Sequence, residues 1–228
     1  DDGFEDVRWG GGKRKRGGGR GERRWRRRAH EFGHLDERRG VHRGCGLAVR
    51  DAEHAADAVV LPGVGAFGAC MNALRSMGLE SVVHRAVRSG RAFLGICVGM
   101  QMLFDGSDED AMAAGLGVIP GRIRWITDQL PRPQMQWNQL AIAEGHEADP
   151  VLAGLPSSPW MYFVHSLHGV PHDPSMVAAT CDYGGTVNAA FRSRNVFATQ
   201  FHPEKSGDDG LALLANFVRH VRADAPSR

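Results

Sequence analysis

The sequence predicts an α/β protein: a mainly parallel sheet with helices on both faces, and a smaller antiparallel portion. Three observations carry this. Strand-length apolar runs at residues 57–61 and 92–96 alternate with helical stretches at 69–77 and 79–89, the β-α-β rhythm of a parallel sheet. After Gly115 the candidate strands shorten and follow one another at 118–126, 160–164, 176–181, 187–192 and 196–201, with turn residues between them. A length of 228 residues with 42% hydrophobic side chains suffices for one such domain with a sizeable core.

Taken in order, the chain opens on a different texture. Residues 1–44 hold 14 Lys+Arg against 8 Asp+Glu, whereas the rest of the chain carries 14 against 18. This opening contains GGGKRKRGGGRGERRWRRR and only scattered apolar residues (Trp9 and Trp25 among them), with no helical or strand period. So little burial does not offset chain entropy, so residues 1–44 are expected to be disordered or foreign to the fold. Three origins fit: an arginine-glycine arm stacking nucleic acid on Trp9 and Trp25, a solvated tail, or GC-rich DNA read out of frame. Residues 45–228 are read as the folded domain.

Within it, Leu47-Ala48-Val49 is a short strand candidate, and the strand at 57–61 is stopped by Pro62-Gly63. The two helices that follow are ended by Gly78 and Gly90. The last helix, over 210–221, aligns Leu211, Leu214, Phe217, Val218 and Val221 on one face. No apolar run is long enough to span a bilayer. The four cysteines, Cys45, Cys70, Cys97 and Cys181, are scattered and form no CxxC pair. That spacing argues against a disulfide framework or a metal site and fits a reducing cytoplasm.

Chemistry concentrates at Cys97. It follows the strand at 92–96 and precedes a helix predicted over 100–104, flanked as Gly95-Ile96-Cys97-Val98-Gly99. Glycines two residues to either side permit a sharp strand-to-helix turn that presents the central side chain at the sheet's carboxyl edge. The position also lies at a helix N-terminus, where unpaired N–H groups favour a thiolate. A nucleophile needs a base and a group to orient that base. His202-Pro203-Glu204 follows the strand at 196–201, and proline fixes a turn from which His202 and Glu204 can both project. The Val98 amide, and the Pro62-Gly63-Val64-Gly65 loop after an earlier strand, are candidate oxyanion donors, with Gly63 freeing the backbone to present the Val64 N–H.

LPGVGAF (61–67), GICVGMQ (95–101), YFVHS (162–166) and QFHPEKSG (200–207) together resemble the class I, or triad, glutamine amidotransferases. More narrowly, residues 46–222 are similar to the glutaminase subunits of imidazole glycerol phosphate synthases. The resemblance implies a flavodoxin-like fold, with Cys97 as nucleophile, His202 as general base and acid, and Glu204 as orienting carboxylate. It implies that Val64 and Val98 give the oxyanion amides and that Gln101, Glu109 and Ser166 hold glutamine, Glu109 taking its α-ammonium. Met135, Trp137, Asn138 and Tyr162 would meet a (β/α)-barrel cyclase subunit in a cytoplasmic heterodimer. That partner uses the ammonia to make imidazole glycerol phosphate and AICAR in histidine biosynthesis, and no metal or organic cofactor is implied. This chain departs from the pattern at Gln136, where Gly precedes Trp-Asn, and at Leu167, where Tyr follows His-Ser. The family's first strand, with its Asp-Tyr-Gly-x-Gly-Asn segment, has no counterpart in residues 1–44.

Other readings are the glutaminase of anthranilate, guanylate or pyridoxal phosphate synthesis, a Cys-His hydrolase of the same fold, and an RNA-binding module led by the basic arm. The Trp137-Asn138 and YFVHS segments disfavour the first, and the Gln101/Glu109 pair disfavours the second.

Overall fold

The computed structural model describes residues 56–224, all within the compact unit His42–Arg228. The strand expected at Leu47-Ala48-Val49 and the disorder expected of residues 1–44 lie outside the described residues.

The central strand explains the apolar run around residue 94. A strand covered on both faces needs no polar alternation, and β2 (Ala92–Cys97) is buried at all six positions. It pairs in parallel with β1 (Ala58–Gly63) on one side and with β10 (Val196–Thr199) on the other. From β10 the sheet continues antiparallel through β9 (Thr186–Ser193), β8 (Val177–Asp182) and the two-residue β5 (Ala141–Ile142). The order is β1-β2-β10-β9-β8-β5, so among the described residues the antiparallel part matches the parallel part in strand number. Two antiparallel ribbons stand apart from this sheet: β3 (Gly121–Trp125) with β7 (Leu167–Pro171), and β4 (Gln134–Gln139) with β6 (Trp160–His165).

Two helices, α1 (Phe67–Ser76) and α2 (Glu80–Arg88), connect β1 to β2. They bury Phe67, Met71 and Leu74, and Val82, Val83 and Ala86, the stripe that a helical period produces. The single turn α3 (Val98–Gln101) follows Cys97 directly. The long α4 (Gly207–Asp224) closes the described chain and packs against β6. Phe93, Leu94, Met100, Leu103, Phe104, Phe163, Phe191, Phe197 and Phe201 are fully buried and form the centre of one continuous core.

Three sequence expectations need correction. The helix after Cys97 spans 98–101 rather than 100–104. Its continuation is cut off because the Met102 carbonyl accepts from Leu116 N–H and the Leu103 carbonyl from Val118 and Ile119 N–H. The same bonds shorten the strand expected at 118–126 to β3, since Val118 and Ile119 are spent on that loop. β4 and β7 were not expected as strands: β4 is QMQWNQ and β7 is LHGVP, compositions that hide a strand pattern.

Candidate active site

Adjacent parallel strands carry the two halves of the site. Ile96 in β2 lies opposite Thr199 in β10, so Cys97 and His202 emerge from neighbouring strand ends at the same edge of the sheet. Cys97 has φ 55° and ψ −117°, a left-handed conformation that costs a non-glycine residue of order 1–3 kcal/mol and persists only where the surroundings enforce it. Here the surroundings are backbone. A Cβ on Gly99 would sit 1.9 Å from the Leu61 carbonyl oxygen, and one on Gly63 would sit 2.7 Å from the Gly99 nitrogen. Glycine at 63 and 99 lets the end of β1 and the start of α3 touch main chain to main chain, and the elbow is wedged between them.

The histidine is pinned from several sides. Its N–H donates to the Tyr162 carbonyl (3.0 Å), and its own carbonyl accepts from Ser206 Oγ (2.6 Å). Nδ1 donates to Glu204 Oε1 at 2.7 Å, since a carboxylate only accepts. That fixes the tautomer and leaves Nε2 for Cys97. The neighbouring Cys97, and then the bond to Glu204, push His202 up to about 9 against the opposing effect of burial. Burial works against ionisation of Glu204, yet the bond from His202 outweighs it and holds the carboxyl below its usual range. Cys97 and His202 are themselves buried.

A cavity of about 300 Å³ opens in front of the sulfur. It gathers Val64, Cys97, Val98, Gln101, Glu109, Ser166 and His202, seven of the residues expected at the site. Glu204 stands behind His202, and Gly63 lies against the elbow opposite Cys97. Glu109 Oε2 accepts from the Phe67 N–H (2.7 Å) at the start of α1. Gln101 is buried, and its Nε2 donates to Gln200 Oε1 (3.1 Å) and, more weakly, towards the Leu167 carbonyl (3.5 Å). Leu167 therefore contributes to this site through its backbone. Cys70 donates to the Val64 carbonyl at 3.3 Å, and burial followed by the nearby Cys97 raises its thiol pKa. Among the described residues, no group of three or more His, Cys, Asp or Glu side chains is placed to hold a metal ion.

A thiol on an elbow, a histidine from the neighbouring strand end and a carboxylate bonded to that histidine form an arrangement able to perform acyl transfer through a covalent intermediate. Comparison with known proteins narrows the class. Residues 31–221 match the family model described as glutamine amidotransferase class-I. The chain belongs to the class-I glutamine amidotransferases. This amidotransferase is 49% identical over 180 residues to the imidazole glycerol phosphate synthase subunit HisH of Thermosynechococcus vestitus, covering 77% of this chain and 85% of that one. It is 47% identical over 173 residues to the HisH subunit of a Synechococcus strain, covering 75% and 78%. A crystal structure titled glutamine amidotransferase superposes with a TM-score of 0.58 at 20% identity, over 76% of this chain and 83% of that one. PurLQS from Thermotoga maritima gives 0.53 at 17%, over 72% and 80%. At those identities the two structures speak for the α/β fold alone.

The amidotransferase site also holds residues that sequence reasoning missed. Gln200, fully buried, donates from Nε2 to Cys97 Sγ at 3.9 Å, which completes a line Gln101–Gln200–Cys97. Its signal was a glutamine inside the apolar run that leads to His202. His165 also lines the cavity, beside the Ser166 that was expected. On the β4–β6 ribbon, Met135 and Trp137 stand exposed on one face with Trp160, and Trp137 meets Tyr162 edge-on at 6.0 Å between ring centres. Asn138 falls at the alternate position, where its Nδ2 donates to the Asp182 carbonyl (2.8 Å). It does not share that exposed face.

Proposed function

We propose that residues 45–228 form a glutaminase domain in which Cys97, His202 and Glu204 cleave glutamine, and that the ammonia passes to a cyclase subunit making imidazole glycerol phosphate. The observation that carries the chemistry is Cys97 on a strained elbow, lining one cavity with a histidine whose Nδ1–H is held by Glu204. The Cys97 thiolate attacks the carboxamide carbon, and the π electrons move onto oxygen. Val98 N–H at the start of α3, and Val64 N–H from the loop at 62–65, are the donors for that oxyanion. As the C–N bond breaks, its electron pair goes to nitrogen and His202 gives the proton, so neutral ammonia leaves a γ-glutamyl thioester. His202 then takes a proton from water, whose oxygen attacks the thioester. Glutamate departs, and the thiol is regenerated. Gln101, Glu109 and Ser166 hold the amino-acid end of the substrate, Glu109 through the α-ammonium.

The partner is supported by the HisH relatives and by the β4–β6 face. Met135, Trp137 and Trp160 are exposed there next to Tyr162 and Val164, an apolar surface of the kind that marks a protein contact. A heterodimer in the cytoplasm, where a catalytic thiol stays reduced, fits this reading.

The decisive experiment measures glutamate formed from glutamine, with the cyclase subunit present. Cys97→Ser should lower turnover by at least about a thousandfold, because a hydroxyl is a far poorer nucleophile than a thiolate. Parental turnover in Cys97→Ser, with loss in Cys70→Ser, would move the nucleophile elsewhere and defeat the proposal.

A further inference from the structure

Two buried acceptor atoms, the second on a residue that lines the cavity, have no hydrogen-bond partner among the described residues: Gln134 Oε1 and His165 Nε2. They belong to directly opposed residues of β4 and β6, so their side chains stand on the same face of the ribbon. Gln134 is fully buried, and His165 is 6% exposed. The chemistry of each atom follows from what its neighbour does. His165 Nδ1 lies 2.7 Å from the Leu167 carbonyl oxygen. A carbonyl only accepts, so Nδ1 carries the proton and Nε2 keeps a lone pair. Burial pushes His165 down to about 4, so the ring stays neutral near pH 7. Gln134 directs its amide nitrogen to Cys181 Sγ at 3.8 Å, which leaves Oε1 unmet.

Two acceptors do not satisfy one another. Each is costly while buried and unpaired, and together they call for a small guest rich in donor hydrogens. His165 borders the same cavity as Cys97 and His202. The reaction at Cys97 releases ammonia, a molecule with three donors. We infer that Gln134 and His165 form a paired acceptor station, the first stop for ammonia leaving Cys97 on its way to the cyclase subunit. The inference rests on the glutaminase reading above. Its chemistry suits the cargo. A ring whose one proton is engaged by Leu167 has none to give, so it holds ammonia without turning it into ammonium, which is no nucleophile. The station sits at the Gln134–His165 end of the ribbon whose other face carries Met135, Trp137 and Trp160. A water molecule, with two donors, is the rival guest.

The test uses the full chain bound to the cyclase subunit and reads moles of cyclase product per mole of glutamate. The parent should give a ratio near one. Gln134→Met and His165→Phe, which remove an acceptor at similar volume, should each lower the ratio at least threefold, with free ammonium appearing in solution. Gln134→His and His165→Gln return an acceptor and should restore it. Supplied with ammonium chloride in place of glutamine, all complexes should make product at the parental rate. A cooperative melt qualifies each variant, and either position alone decides. An unchanged ratio in the acceptor-free variants overturns the inference. So does an equal loss in the acceptor-bearing ones, the signature of a role in packing alone. A parent that forms no glutamate defeats the glutaminase reading itself, a separate result.

Discussion

Glu109 reaches two places at once. Its Oε2 caps α1 through the Phe67 N–H, while the side chain borders the cavity where the substrate's α-ammonium is proposed to sit. The two roles separate by substitution. Glu109→Ala should raise the glutamine KM and also cost about 1 kcal/mol of stability through the lost cap. Glu109→Gln keeps an acceptor for the Phe67 N–H and loses only the charge, so KM should rise with little change in urea midpoint. Equal KM values in parent and both variants would remove the ammonium role. At this scale the sequence was informative wherever chemistry is written locally. Cys97 stands between Gly95 and Gly99, and His202 and Glu204 flank a proline, so each was visible within a few residues. Gln200 was not visible, because its contact with Cys97 spans 103 residues and exists only once β2 and β10 are neighbours. His165 was hidden differently. It lay inside a recognised segment, but the lack of a partner for Nε2 is a property of burial that no spacing encodes.

At the scale of elements, the elbow depends on two strand ends that nearly coincide. Because a Gly99 Cβ would meet the Leu61 carbonyl at 1.9 Å, Gly99→Ala must push β1 away from α3. The expected loss is roughly 3 kcal/mol, the upper range for overpacking. Glutaminase turnover should fall at temperatures where the protein is still folded, since the displaced backbone carries Cys97. Parental turnover with parental stability would show that the two strand ends give way freely. The paired glycines were legible as a turn, but the helix after them was misjudged by several residues. Periodicity in 100–104 is genuine, yet the Met102 and Leu103 carbonyls are claimed by Leu116, Val118 and Ile119, a competition that local pattern does not reveal. β4 escaped notice for a related reason: Gln134 is an amide buried at a strand's inward position, so hydrophobic alternation fails there.

For the whole molecule, two histidines oppose each other in their dependence on pH. His165 falls from 6.5 to about 4 through burial. The unfolded chain therefore binds the extra proton between those values, and stability is present above pH 6.5 and lost as pH falls towards 4. His202 rises to about 9 through Cys97 and then Glu204. Its contribution is present below pH 6.5 and lost as pH rises through 9. Each shift corresponds to roughly 3 kcal/mol, so stability should peak near pH 6.5. Urea midpoints measured from pH 4 to pH 10 check this. His165→Phe should make the acid limb shallower and His202→Gln the alkaline limb, and profiles parallel to the parent's would refute the assignment. The parallel pairing of β1 with β2 was readable from apolar runs and the α-helical stretches between them, whereas the parallel place of β10 beside β2 was not. Nor was the order of β9, β8 and β5, because β5 reaches β8 only after one strand from each of the separate ribbons intervenes in the chain, a pairing that only the folded sheet reveals.

The turn at Gly184-Gly185, exposed between β8 and β9, divides the chain between the groups proposed to react. Cys97 lies before it, while His202 and Glu204 lie after it. Covalent continuity across that turn is therefore no part of the catalytic arrangement; what joins the groups is strand pairing. Cut there, the protein would become a two-piece device in which one fragment holds the proposed nucleophile and the other holds its proposed base. Neither piece would be a catalyst alone, and activity would report their reunion.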